Sequence, residues 1–291
     1  MKPCLITGGE GQLGLALQKV AHETGLSYVA PKRDELDLAS DASILQQVDA
    51  QDWSCIINAA AYTAVDKAES EAALAHRING EAVGTLARAA AVRDIPLIHI
   101  STDYVFSGDT DRPYRVDDVT GPINVYGASK LAGEEAARAA GGRCVILRTS
   151  WVVSPWRQNF VKTMLRLAAE RPHLRIVGDQ YGSMTSAEDL ARAVWLIAMR
   201  LADGHAQSGT FHFANQGELS WAELASEVFR LSAARGGPSA SVEPIATSDY
   251  PTPARRPHNS RLDLSALKPA FDLTPRPWRA ALSDIIAQLI P

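Results

Sequence analysis

The sequence predicts an α/β protein: a Rossmann-like doubly wound parallel sheet, with a smaller, partly discontinuous α/β domain beside it. Three observations carry this reading. The apolar stretch Pro3 to Thr7 runs into Gly8-Gly9-Glu10-Gly11-Gln12-Leu13-Gly14 and then a helical pattern through Leu15, Leu17, Val20 and Ala21. Apolar strand patterns and helical patterns then alternate as far as Arg148, which is how parallel strands joined by crossover helices read. After Arg148 the texture changes to helical patterns separated by aromatic and basic loops. The expected division is residues 1–150 plus about 174–214 for the sheet domain, and about 151–173 plus 215–291 for the second domain.

The first strand, glycine loop and helix form the context of a dinucleotide-binding loop. Gly8 permits the tight turn, Gly11 lets the backbone approach a pyrophosphate, and Gly14 lets the helix pack close to the strand. The helix N-terminus then offers free N–H groups to phosphate. The second strand, Ser27 to Ala30, ends in Pro31-Lys32-Arg33. A basic pair there suits a ribose 2′-phosphate and favours NADPH. Asp34 and Glu35 follow at once, so NADH stays open, and Asp37-Leu38 falls where an adenine would lie. Trp53 to Asn58 is the next strand, ending in Ala59-Ala60-Ala61-Tyr62. Small residues at a strand's carboxyl end leave room for a ligand. A long helical pattern from about Ser70 to Arg93 contains Asn79, and the strand Pro96 to Ser101 delivers Ser101 and Thr102. The loop Gly108 to Asn124 is long enough to be functional. A helix from about Tyr126 and a fifth strand, Arg143 to Arg148, complete the first part. Helices are then expected over about 160–169, 187–201 and 221–233, the last opened by the capping-box pattern Ser220-Trp221-Ala222-Glu223.

Tyr126 stands four residues ahead of Lys130, one turn away on the same helical face. An ammonium beside a phenol favours the phenolate and lowers a pKa that starts near ~10. A phenol tuned this way delivers a proton to a carbonyl oxygen as a hydride reaches its carbon. Alone, the same spacing also describes an ordinary surface pair.

Bulk properties narrow the classes. The 291 residues suit one large or two modest domains, and 46% hydrophobic with 21% charged is ordinary globular composition. A formal net charge of −4 gives no basic balance pointing to nucleic acid or an anionic membrane. No apolar run is long enough to span a bilayer, and Pro3-Cys4-Leu5-Ile6 is too short for a signal peptide. The expected compartment is the cytoplasm. Cys4, Cys55 and Cys144 each lie in a strand pattern and form no Cys-x-x-Cys pair, so they read as small buried hydrophobes. The histidines show no metal-ligand spacing, and His99, inside Leu97-Ile98-His99-Ile100, reads as a core histidine.

With these residues in place, the chain resembles an extended short-chain dehydrogenase/reductase and, more narrowly, the dTDP-4-dehydrorhamnose reductases. The likeness rests on the glycine loop, Asn58 to Glu69, Ser101 to Phe106, Asn124-Val125-Tyr126-Gly127 and Arg148-Thr149-Ser150-Trp151. Asn159-Phe160, Asp179-Gln180-Tyr181-Gly182 and Arg256-Pro257-His258-Asn259-Ser260 extend it over nearly the whole chain. The resemblance implies NADPH-dependent reduction of the C4 keto group of a dTDP-sugar, giving dTDP-L-rhamnose. It implies Tyr126 as the acid, Lys130 on the nicotinamide ribose, and Thr102 on the same sugar oxygen. It carries the cofactor site to Gly8, Gly11, Gln12, Leu13, Gly14, Arg33, Asp37, Leu38, Ala59, Ala60, Ala61, Tyr62, Asn79 and Ser101, with Tyr126 and Lys130. It carries the sugar-nucleotide site to Thr63, Val65, Thr102, Trp151, Asn159, Phe160, Gln180 and Arg256, with Arg255 as a substitute at the diphosphate. For each of these pocket residues taken singly a structural role is about as good a reading, except that Arg256 has the better case, since a diphosphate favours a guanidinium.

Two departures stand out. Met184 replaces a proline of the family pattern, which loses a rigid turn but no chemistry. Some relatives dimerise through magnesium held partly by a glutamate after the third glycine; Ala16 stands there, leaving Glu188 as a single carboxylate. No metal is therefore expected, and monomer and homodimer both stay open. The competing readings are a related nucleotide-sugar dehydratase or epimerase, and a non-catalytic NADP-binding regulatory subunit. A dehydratase needs an Asp-Glu pair after the threonine, whereas Asp103 is followed by Tyr104. A pure binding module needs no tuned phenol.

Overall fold

The computed structural model describes residues 2–204 and 207–291. A six-stranded, all-parallel sheet forms the centre: β1 (Cys4–Thr7), β2 (Tyr28–Val29), β3 (Cys55–Asn58), β4 (Leu97–Thr102), β5 (Cys144–Thr149) and the strand Gly209–Phe213. In space the order runs Gly209–Phe213, β5, β4, β3, β1, β2. The chain leaves β1 for β2 at one edge and returns past β1 to β3. That reversal opens a crevice beyond the carboxyl ends of β1 and β3, where open α/β sheets bind their ligands.

Both faces of the sheet are covered, so its strands read as continuous apolar runs rather than alternating ones. All residues of β1 and β3 are buried. On one face, α1 (Gln12–Thr24) and the helix Ala187–Ala202 pack Leu17, Val20, Leu190, Val194 and Trp195 against Ile6 and Ile57. On the other, α2 (Asp41–Asp49) and the helix Ala82–Val92 pack Ile44, Val48, Val83 and Leu86 against Leu5 and Ile56. A third cluster, with Val161, Met164, Met184, Leu224, Phe229, Trp278 and Ile285, is built from segments that follow β5 and is separate from the two clusters on the sheet faces.

Three features differ from the expected pattern. The helix expected over about 70–93 is broken into Ala72–His76, a π-helical turn Arg77–Glu81 and Ala82–Val92. The strand Gly209–Phe213 extends the sheet beyond β5. The segment His173–Val177 does not rejoin the sheet domain at 174: it pairs with Ser241–Ile245, and Leu174 packs in the third cluster. The chain re-enters the sheet's own core only at Ala187. Leu267 and Phe271, from the C-terminal part, pack back into that core as well. Among the described residues, no helix is long and apolar enough to cross a membrane.

Candidate active site

The crevice begins where β1 ends. Gly8 turns the chain with a φ of 69°. A Cβ on Gly8 would stand 2.7 Å from the Ala60 backbone, and one on Gly14 only 2.2 Å from the Gly8 carbonyl oxygen. Neither position admits a side chain, so the loop, α1 and the end of β3 meet backbone to backbone. α1 opens at Gln12 behind Gly11, with no side-chain cap and no acid in its first turn. Its leading N–H groups and the positive end of its dipole are thus available to an anion. This cradle fits a dinucleotide pyrophosphate. Leu13 points into the core. Arg33 and Asp37 are exposed after β2, and Leu38 is buried beneath them.

Ala59, Ala60 and Ala61 are half-buried at the end of β3. The next residue is gripped by Asn79: the Tyr62 N–H donates to Asn79 Oδ1 at 2.8 Å, and Asn79 Nδ2 donates to the Tyr62 carbonyl at 3.0 Å. Asn79 Nδ2 also donates to Ser129 Oγ at 2.9 Å. The π-helical turn thereby fixes the loop after β3 against the helix Val125–Ala139. Asn79 is fully engaged inside the protein, as a positioning group. The Tyr62 hydroxyl donates to Glu71 at 2.7 Å. Thr63 is exposed and Val65 half-buried.

The helix Val125–Ala139 carries Tyr126 and Lys130. Asn124 caps it by accepting from the Gly127 N–H at 2.8 Å. Lys130 is buried, and its Nζ donates to the Ile100 carbonyl at 2.7 Å and lies 3.4 Å from His99 Nε2. Burial pulls Lys130 down to about 8, with Glu134 opposing it. Tyr126 meets Tyr104 edge-on, 5.7 Å between ring centroids. Burial pushes the Tyr126 phenol up to about 12, and the Thr102 hydroxyl offsets only part of that. The expectation of a lowered phenol pKa is therefore reversed: desolvation of the phenolate outweighs any nearby cation, because the lysine ammonium is turned to Ile100 and His99.

Thr102 donates to Asp103 Oδ1 at 2.9 Å and accepts from the Tyr104 N–H at 3.2 Å. Asp103 is itself buried, pushed up to about 6 by burial, and among the described residues its Oδ2 has no hydrogen-bond partner. Ser101 donates to Glu134 at 2.6 Å. Burial works to raise the Glu134 carboxyl, but Arg148, with contacts of 2.8 and 2.7 Å, and Ser101 hold it below its ordinary range. Ser101 is thus part of an ion-pair network that fixes the helix to the sheet.

The segments after β5 contribute an aromatic wall. Trp151 stacks on Trp221 with centroids 3.6 Å apart, and Phe160 leans on Trp221 at 4.6 Å. Asn159 caps the helix Phe160–Glu170 and donates to Gln12 Oε1 at 3.0 Å, so a residue of the glycine loop and one of the aromatic wall are directly joined. Ser154 Oγ donates to the same Gln12 oxygen at 2.8 Å. Gln180 is buried and donates to Thr247, which Asp179 also holds. Arg256 forms a two-pronged pair with Asp66, at 2.9 and 2.8 Å. Arg255 is exposed. Glu188 is paired with Lys19 at 2.5 Å and Arg192 at 2.9 Å. Among the described residues, no group of three metal-ligating side chains converges.

Sequence reasoning missed Asn58, Asp103, Glu134, Asp66, Trp221 and Thr247 as neighbours of the site. Asn58, Asp66 and Asp103 lie in stretches that carry the family likeness, and Trp221 in a capping-box pattern, but their parts at the site come from distant partners; Glu134 and Thr247 carried no readable signal.

Comparison with known proteins agrees with this geometry. Residues 1–290 match the family model described as RmlD substrate binding domain. The chain is 42% identical to a dTDP-4-dehydrorhamnose reductase of Sinorhizobium fredii, covering 98% of this chain and 97% of that one. It belongs to the dTDP-4-dehydrorhamnose reductase family. An Escherichia coli member of the family is 39% identical over 98% of this chain and 97% of its own. A family structure from Clostridium acetobutylicum superposes with a TM-score of 0.92 at 34% identity, covering 99% of both chains. A Bacillus anthracis member, solved in complex with NADP, gives 0.91 at 34% identity, again covering 99% of both chains.

Proposed function

We propose that this chain reduces the C4 keto group of dTDP-4-dehydro-6-deoxy-L-mannose to give dTDP-L-rhamnose, using NADPH. The observation that carries the reading is that Thr102 at the end of β4 meets Tyr126, one helical turn ahead of the buried Lys130, beside a loop in which Gly8 and Gly14 admit no side chain, in a chain matching the family along its length. The cradle of Gly8, Gly11 and Gly14 with the α1 N-terminus holds the pyrophosphate. Arg33, exposed after β2, meets a ribose 2′-phosphate. When bound, NADPH supplies the hydride to the sugar's C4.

The protein's own part is to bind, orient and protonate. A phenol at about 12 is protonated throughout the neutral range, which is the form a reduction requires. Tyr126 gives its proton to the developing O4 alkoxide, and Thr102 donates to the same oxygen once its hydroxyl turns from Asp103. Lys130 adds positive charge below about 8. Trp151, Trp221 and Phe160 present an apolar wall to the sugar, and Arg256, held in place by Asp66, faces the diphosphate with Arg255. The dehydratase alternative loses support because Tyr104, not a second acid, follows Asp103. The test is to follow NADPH absorbance with the keto-sugar generated in place by an upstream dehydratase and epimerase. Equimolar NADPH loss and dTDP-rhamnose formation is the expected result; cofactor binding without oxidation would overturn the proposal.

A further inference from the structure

A row of buried polar groups crosses the sheet directly behind Lys130. The parallel register sets Thr7, Asn58 and His99 side by side on β1, β3 and β4. Thr7 Oγ1 lies 2.6 Å from Asn58 Oδ1, Asn58 Nδ2 lies 3.1 Å from His99 Nδ1, and His99 Nε2 lies 3.4 Å from Lys130 Nζ. None of the four is more than 1% exposed. Three adjacent strands of the sheet therefore place a hydrogen-bonding group at the same level, and the row ends on the lysine of the site.

Donor and acceptor counting gives the row a direction. An ammonium has three N–H donors and no acceptor; a neutral imidazole has one of each. Burial and the Lys130 charge hold His99 well below its ordinary value, so the ring is neutral. If Asn58 Nδ2 donates to Nδ1, the ring proton sits on Nε2 and faces the lysine. That arrangement is complete only when Lys130 is an uncharged amine. With the Asn58 amide turned over, its oxygen accepts from Nδ1–H, its NH2 donates to Thr7 Oγ1, and Nε2 accepts from the ammonium. The two amide orientations have the same shape and are told apart only by the hydrogen bonds they make. The second arrangement satisfies the charged lysine: one N–H goes to Ile100 O and one to His99 Nε2, leaving a single N–H for the crevice.

We propose that His99 is a positioning residue for the reductase reaction: its Nε2 anchors the Lys130 ammonium, and Asn58 with Thr7 sets which ring nitrogen carries the proton. This rests on the reductase reading for its kinetic consequence but not for its structural one. The charged groups acting on the pair are few. Glu134 on the lysine's own helix favours its charge but is engaged by Arg148, Arg138 and Ser101. Tyr126 lies one turn away on that helix, and Asp103 follows β4. From β3 the row presents only the uncharged Asn58, and from β1 only Thr7.

Two experiments on the full chain test the proposal. Nitrogen NMR of histidine-labelled wild-type protein near neutral pH is expected to show His99 neutral with its proton on Nδ1; a proton on Nε2 would overturn the assignment without any variant or turnover. In kinetics, His99→Leu removes the acceptor, while His99→Gln returns an amide oxygen near the Nε2 position. The Leu variant is expected to lose roughly tenfold or more in kcat, with little change in the KM of the sugar, and to move the basic limb of the pH profile to lower pH. The Gln variant is expected to recover most of both. A folded Leu variant with unchanged kcat and pH limb, or a Gln variant as impaired as Leu, would contradict the proposal. Failure of wild-type turnover would count against the reductase reading alone, since the ring tautomer is read independently.

Discussion

Tyr126 and Lys130 take opposite shifts from one cause. Burial removes water from both, which disfavours the phenolate and the ammonium alike. Tyr126 therefore stays protonated across the working range, and Lys130 becomes the group that titrates. Turnover is expected to fall as pH rises through about 8, as the ammonium is lost. The stability of the cofactor-free protein should move the other way. Between about 8 and the ordinary lysine value of 10.5 the unfolded chain binds more protons than the folded one, so this group's contribution to stability rises with pH. A kcat–pH profile with parallel denaturant unfolding checks both; activity flat to pH 10 would refute the assignment. Tyr126→Phe keeps the ring against Tyr104 but removes the hydroxyl of the proposed acid. It is expected to lower kcat by about 10²-fold or more with NADPH affinity nearly unchanged. The one-turn spacing of this pair was legible in sequence because helical geometry is local. The direction of the phenol's shift was not, since burial is set by β4, Tyr104 and the loop after Thr102.

At the scale of elements, the glycine loop was the most readable part. Its spacing states its own geometry, and the clash of any Cβ on Gly14 with the Gly8 carbonyl explains why. Gly14→Ala is expected to cost about 1–3 kcal/mol of stability through overpacking and to weaken NADPH binding; an unaltered thermal midpoint and cofactor affinity would show that the close approach is not needed. The helix Val125–Ala139 is fixed to β5 by the buried Glu134–Arg148 pair. Glu134→Gln leaves Arg148 charged and unpaired in the interior, and about 3 kcal/mol of stability should be lost in urea unfolding; a change near zero would mean that the pair is dispensable. The break in the helix expected over about 70–93 was hidden because a π turn keeps a helical apolar pattern. Its cause is distant: Asn79 must face Tyr62 and Ser129 at once.

Across the whole molecule, the segments after β5 are stitched to the sheet's loops at the site itself. Gln12 of the glycine loop holds Ser154 and Asn159, and Asp66 after β3 holds Arg256. The glycine loop and the segment beside the aromatic wall thus share hydrogen bonds, so the two ligands of the proposed reaction are expected to meet at a joint that the protein already aligns. The doubly wound sheet was legible from apolar strand patterns alternating with helical ones, because the central strands β1, β3, β4 and β5 are buried along nearly their whole length. The return to the sheet was not. The segment His173–Val177 reads as a strand equally well in either domain, and only its partner Ser241–Ile245 decides where it lies. The central claim is that this joint brings a hydride donor onto the sugar's C4. The most direct measurement is to run the reaction with NADPH deuterated at the transferred position and locate the label in the isolated nucleotide sugar. One deuterium at C4 of dTDP-L-rhamnose, matching the NADPH consumed, is the expected result. An unlabelled product, or a sugar altered without NADPH oxidation, would contradict it.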